Sequence, residues 1–109
     1  MKKYQDIVNT WIKTYGKGYF KEMTNLALLM EEVGELARYM ARVYGEQSFK
    51  NSEEKDNPSE KIEDELTDIF FVCFCLANQM NIDLDKAFHN NIIKKTERDR
   101  TRHLNNKKL

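Results

Sequence analysis

Two pairs of acidic residues, Glu32/Glu35 and Glu65/Asp68, sit inside stretches that otherwise read as the most apolar helices of the chain. Spaced three apart, the members of each pair share one helix face, with Cβ atoms about 5–6 Å from one another. Charges that close repel. A carboxylate withdrawn from water without a partner is costly enough that it takes up a proton or finds a counter-charge. Four such groups on neighbouring helices offer only hard oxygen donors, the set suited to Mg2+ or Mn2+. The same spacing arises on solvated helices, where Glu is a common surface residue, so two readings stand: ordinary surface acids or a divalent-cation site. Two pairs beside apolar stripes favour the second.

Helical steps place Leu28, Glu32, Glu35 and Tyr39 on one line, beside a broader apolar face of Leu26, Leu29, Met30, Val33, Ala37, Met40 and Tyr44. Glu65, Asp68 and Val72 border the apolar stripe of Ile62, Leu66, Ile69 and Cys73 in the same way. Further on, the face of Leu84, Phe88 and Asn91 continues to Lys95, Asp99 and Arg102. Lys and Arg bind phosphate oxygens through charge-assisted hydrogen bonds, and a carboxylate-held cation neutralises a polyphosphate from its other side. A solvated basic tail accounts for the same pattern without a ligand.

Four helices must position these groups. Tyr4, Ile7, Val8, Trp11, Ile12 and Tyr15 recur at intervals of three and four, and Gly16 and Gly18 close that first helix. The second runs from about Thr24 to Tyr44 and stops at Gly45. A polar loop is expected over residues 46–57. Asn57, Pro58 and Glu60 then read as an N-cap, a first-turn proline and a capping-box acid for a third helix over about 58–80. Within it, Ile69 to Ala77 is apolar on every side, which a lone unit of this size cannot cover, so a partner subunit is expected there. The fourth starts near Asp83 as cap and continues through Leu84, Ala87, Phe88 and Ile92 into the basic end. Trp11, Tyr19 and Phe20 suit stacking on a nucleobase, but aromatics at such positions more often fill the core.

Composition sets the limits. The chain has 109 residues, room for one domain spanning 1–109. Its 18 Lys+Arg balance 18 Asp+Glu, so a whole-molecule attraction to nucleic acid or anionic membrane has no support. The charges are nevertheless segregated: eight acids to three bases over residues 46–65, and seven bases to two acids from Lys94 onward. No secretory h-region precedes the first helix, and the longest apolar run is far short of a membrane span, which leads us to expect a cytoplasmic protein. Cys73 and Cys75 point apart on a helix and read as core thiols rather than a disulfide or zinc site. There is no phosphate-binding G-x-x-x-x-G-K-[ST] loop. The Nudix-like stretch Glu31-Glu32-Val33-Gly34 lacks the Arg-Glu that such a motif needs at Ala27-Leu28. His89 and His103 do not follow the Glu-x-x-His pattern of a di-iron bundle.

Glu31-Glu32-Val33-Gly34-Glu35-Leu36-Ala37, followed by Glu65-Leu66-Thr67-Asp68, resembles the E-E-x-x-E and E-x-x-D signature of MazG-type nucleotide pyrophosphohydrolases, within the all-α NTP pyrophosphatase superfamily. The likeness extends to the Trp11 helix, to Tyr19-Phe20 and to the closing Lys95…Asp99…Arg102 segment. It implies an all-α bundle of about four helices assembled as a homodimer or homotetramer. It also implies Mg2+-dependent hydrolysis of a nucleoside triphosphate to the monophosphate and pyrophosphate, with Mn2+ as a possible substitute. Carried over, Glu32, Glu35, Glu65 and Asp68 are metal ligands, Glu31 either activates the attacking water or supports the ligands from behind, and Lys95, Asp99 and Arg102 belong to the phosphate site. Asp99 stands where related proteins often have Asn, and the segment between the motifs is long. Alternatives are a phosphoribosyl-ATP pyrophosphohydrolase, and a non-catalytic helical oligomer or nucleotide-binding module with a structural cation.

Overall fold

The computed structural model describes residues 1–50, 57–100 and 102–109. Among them the chain forms four helices and no strand: α1 (Lys2–Tyr15), α2 (Glu22–Tyr44), α3 (Pro58–Gln79) and α4 (Leu84–Asp99). Of the polar loop expected over residues 46–57, residues 51–56 lie outside the described residues. No helix among the described residues is long and apolar enough to cross a membrane.

α2 and α3 run antiparallel and form the main packing unit. Asn25 meets Gln79 at one end through a 2.7 Å hydrogen bond, and Lys61 lies 5.7 Å from the Tyr39 ring centroid at the other. α1 also packs antiparallel to α3. Val8 joins Phe74 and Cys75 in the buried core, and Trp11 meets Phe71 edge-on with centroids 5.5 Å apart.

A buried amide network locks the ends of these helices. Gln5 is 1% exposed; its Nε2 donates to Asn78 Oδ1 at 3.1 Å and to the Ile82 carbonyl at 2.7 Å, while its Oε1 accepts from the Leu84 amide at 2.8 Å. Asn78 Nδ2 in turn donates to the Gln5 carbonyl at 2.9 Å and to the Tyr19 hydroxyl at 3.0 Å. One side chain of α1 thus holds α3, the turn after it and the first residue of α4. The start of α4 is further fixed by Asp83, whose side chain accepts from the Asp85 and Lys86 amides, and by the N-terminal amine, 2.9 Å from Asp85.

Two expectations are corrected. Asn57 makes no side-chain cap: it sits in the left-handed region at φ 52°, which Asn tolerates, and its carbonyl rather than its side chain receives the first helical amides. The inner faces are also rotated from those read off the periodicity. On α1 the inside is Gln5, Val8 and Ile12, whereas Tyr4, Ile7, Trp11 and Tyr15 are exposed. On α2 the buried residues are Asn25 and Tyr39, with Leu28, Glu32 and Leu36 half-buried, whereas Leu26, Met30, Val33, Met40 and Tyr44 face outward. The line that carries the acids is the one packed on α3. The broader apolar face is left bare, because one neighbouring helix covers only a single stripe.

The chain consequently exposes far more surface than its mass requires. Its accessible area is 8830 Å², against about 6,300 Å² for a compact 13 kDa monomer. Its radius of gyration is 17.9 Å, against about 13 Å for a compact domain of this length. α4 contains no buried residue, and Phe88, Ile92 and Ile93 stand about half exposed on it.

Candidate metal centre

The antiparallel pairing of α2 and α3 brings Glu32 opposite Glu65 and Asp68, and one carboxylate oxygen from each lies within 4.8 Å of the others. Glu32 and Glu65 are half-buried, and Asp68 opens to solvent. Glu65 Oε2 is buried with no hydrogen-bond partner. Its carboxyl is pushed up to about 7 by the facing Glu32 carboxyl, by burial, and by the negative charges of Glu32, Asp68 and Glu35. Two carboxylates are both acceptors, so this contact closes only with a proton or a cation between them. Asp68 is raised too, by burial first and then by Glu32 and Asp64.

Three converging carboxylates, one of which carries a buried oxygen without a partner, fit a hard divalent cation, which prefers carboxylate ligands and fills the rest of its shell with water or phosphate. Glu32, Glu65 and Asp68 are the residues brought together. Glu35 is not among the three: it is exposed and paired with Arg38 at 3.3 Å, although its charge reaches Glu65. Glu31 is exposed on α2, turned about 100° from Glu32 by the helical step. Asp99 and Arg102 pair where α4 ends, Lys95 is exposed on that helix, and none of the three is among the residues brought together with the acids. Asp99 is held below the usual carboxylate range by Arg98 first and by Arg102, with Arg102 at 3.4 Å and His103 at 3.9 Å.

The surroundings of the acids are polarised along the helix pair. One turn before Glu32 is Leu28 and one turn after Asp68 is Val72, and both line an aromatic cavity of about 520 Å³. On the other side are the cations Arg38, 4.6 Å from the Tyr39 ring centroid, and Lys61, one turn before Glu65. Sequence reasoning missed both of these cations and the cavity. Arg38 was visible as the i+3 neighbour of Glu35. The cavity was not, because it forms only where three segments meet; of the two readings open for Trp11 and Phe20, core or stacking surface, their 49% and 65% exposure at its lining goes against the core.

The model of the MazG nucleotide pyrophosphohydrolase domain matches residues 20–103. The uncharacterized protein YpjD of Bacillus subtilis (strain 168) is 37% identical over 102 residues, covering 94% of this chain and 88% of that protein. Among solved structures, the Bacillus-conserved MazG protein, described as a nucleotide pyrophosphohydrolase, is 39% identical with a TM-score of 0.68, covering 86% of this chain and 85% of its own. The crystal structure of YPJD from Bacillus subtilis gives 38% identity and a TM-score of 0.70, covering 87% and 90%.

Proposed function

The chain belongs to the MazG nucleotide pyrophosphohydrolase family, and from that membership we propose that it hydrolyses a nucleoside triphosphate, ribo or deoxy, to the monophosphate and pyrophosphate with Mg2+ as its ion. The observation that carries this reading is the convergence of Glu32, Glu65 and Asp68 on one point, with a buried Glu65 oxygen lacking a partner. These three would hold the ion. Glu35, whose negative charge reaches Glu65 and repels it in the absence of an ion, would join them once released from Arg38. When bound, a divalent ion neutralises phosphate charge and favours ionisation of water.

The remaining work falls to side chains of this protein. Glu31, exposed on α2 next to Glu32 in sequence, accepts the proton of the attacking water. Lys95 and Arg102 bind phosphate oxygens, and Asp99 orients Arg102 through their mutual ion pair. Arg38 and Lys61 add positive charge on the side of the acids away from the cavity, so the phosphate chain extends towards them. Because such groups are placed before substrate arrives, little reorganisation accompanies the reaction.

The active form is a homodimer or homotetramer. Its support is the excess of about 2,500 Å² over a compact monomer, together with the bare apolar face of Leu26, Met30, Val33 and Met40 on α2. That area is of the size an obligate interface buries.

A panel of ribo- and deoxynucleoside triphosphates, incubated with the protein and Mg2+, tests the reaction. The expected result is one monophosphate formed per pyrophosphate. Release of inorganic phosphate instead would contradict the assigned bond cleavage. Binding of cation and nucleotide with no product would identify a binding module.

A further inference from the structure

We propose that Arg38 is a positioning residue that couples phosphate to cation: it holds the Glu35 carboxylate away from Glu32, Glu65 and Asp68 until a phosphate group claims its guanidinium, and then releases it to the acids. This rests on the pyrophosphohydrolase reading for the source of the phosphate, whereas the exchange itself is a property of side chains on α2 and α3.

Glu32, Glu35 and Arg38 follow one another at intervals of three on α2, so each stands about 4.5 Å along the axis from the next and neighbours meet on the helix surface. Side chains on a helix lean towards its N-terminus. That lean carries the Arg38 stem towards Glu35, where Nη2 lies 3.3 Å from Oε2, and it carries a Glu35 carboxylate released from Arg38 back over Glu32. Glu35 therefore stands between two destinations, an arginine on one side and the acids on the other.

Charge decides which of them it takes. Three carboxyls already converge, and behind the facing Glu32 carboxyl and burial, the charge of Glu35 is among those that push Glu65 up. Without a cation a fourth carboxylate is repelled, and the guanidinium retains it. The retention is weak. Arg38 and Glu35 are 31% and 49% exposed, and a pair three residues apart in that setting contributes little. A phosphate group gives the same guanidinium a charge-assisted, bidentate contact, which is the stronger one, so the exchange runs towards phosphate.

Arg38 is seated to make this exchange without a large movement. Its guanidinium carbon lies 4.6 Å from the ring centroid of Tyr39, a buried residue, and Lys61 approaches the same ring at 5.7 Å. Both cations thus flank one fixed ring beyond the acids. The chain presents three carboxylates to a bare divalent ion and four to an ion that brings a phosphate chain, which favours the loaded nucleotide over the free cation.

Mn2+ binding to the metal-free full-length protein, followed by electron paramagnetic resonance with and without inorganic pyrophosphate, tests this in wild type, Arg38→Met, Glu35→Gln and the double variant. Methionine keeps an unbranched stem over Tyr39; Arg38→Gln replaces it should circular dichroism show a disturbed fold. Complexation of Mn2+ by pyrophosphate in solution is the same for every variant and cancels between them. Without pyrophosphate, Arg38→Met should bind Mn2+ about 2- to 5-fold tighter than wild type, the scale of an exposed ion pair released, and this gain should vanish in the Glu35→Gln background. The tightening by pyrophosphate seen in wild type should shrink by about 10-fold in Arg38→Met. A gain of equal size in both backgrounds would reduce Arg38 to general charge repulsion and overturn the proposal. Unchanged or weaker Mn2+ binding in Arg38→Met, or an undiminished pyrophosphate effect, would overturn it too. Any of these results alongside pyrophosphate release from a triphosphate would remove the exchange and keep the reaction. The expected cycle with no product from any triphosphate would do the reverse.

Discussion

Glu32 and Glu65 face one another from antiparallel helices, and the Glu65 carboxyl is pushed up to about 7 chiefly by the Glu32 carboxyl opposite it. Helix propensity gives no reason for such a contact, since two acceptors oppose each other unless something positive lies between them. The pair is therefore a source of strain in the metal-free protein and a binding site when a cation arrives.

That strain has a pH signature. Glu65 ionises near its ordinary value of 4.5 in the unfolded chain and near 7 in the folded one, so between those values the native state holds a proton that the unfolded state has lost. The stabilising effect is complete below about 4.5 and disappears as the pH rises through about 7. Asp68 shifts in the same direction. Urea midpoints of metal-free protein should fall across this window, and Glu65→Gln should flatten the fall. A midpoint that rises steadily from pH 4.5 to 7 would contradict the assignment.

Asp68→Asn removes the negative charge of one of the three converging carboxylates and replaces one of its oxygens with NH2, without changing side-chain size. Its kcat should drop by roughly 100- to 1,000-fold while the far-ultraviolet circular dichroism is retained. Glu35→Gln should also abolish most turnover, but with a smaller loss of cation affinity, because Glu35 lies outside the converging three. Near wild-type rates at limiting Mg2+ in either variant would remove that residue from the ligand set.

Arg102→Ala should raise KM by roughly 10-fold, the scale of one charge-assisted contact, with little change in kcat. A variant that lowers kcat alone would move Arg102 from substrate binding to the reacting centre.

Gln5→Ala tests the fold apart from the site. Its removal leaves the Leu84 amide, the Ile82 carbonyl and the Asn78 side-chain oxygen without their partner in a part-buried setting, at a cost of about 2–4 kcal/mol. Thermal unfolding of the metal-free protein would register this as a clear fall in Tm. An unchanged Tm would mean that water replaces the side chain.

The helices and the acidic motifs were legible in the sequence because both are local: intervals of three and four residues define a face, and glycines mark the ends of α1 and α2. Which face turns inward was not local. Leu26, Met30 and Val33 outrank Leu28, Glu32 and Tyr39 in hydrophobicity, yet only the latter line packs on α3, since the wider face exceeds what one chain covers. Gln5 also escaped notice, because nothing in its neighbourhood announces a hub whose partners lie more than 70 residues away. The aromatic cavity depends likewise on three segments meeting. The acids could be paired on paper within each helix, but the exclusion of Glu35 from the closest group arises from the register between helices.

The most direct test is the affinity of the metal-free protein for Mn2+, followed by electron paramagnetic resonance, with and without a non-hydrolysable nucleoside triphosphate. The account predicts one class of sites that is tightened by the nucleotide and weakened at least about 10-fold in Glu65→Gln and in Asp68→Asn. Equal Mn2+ affinity in wild type and both variants would contradict it.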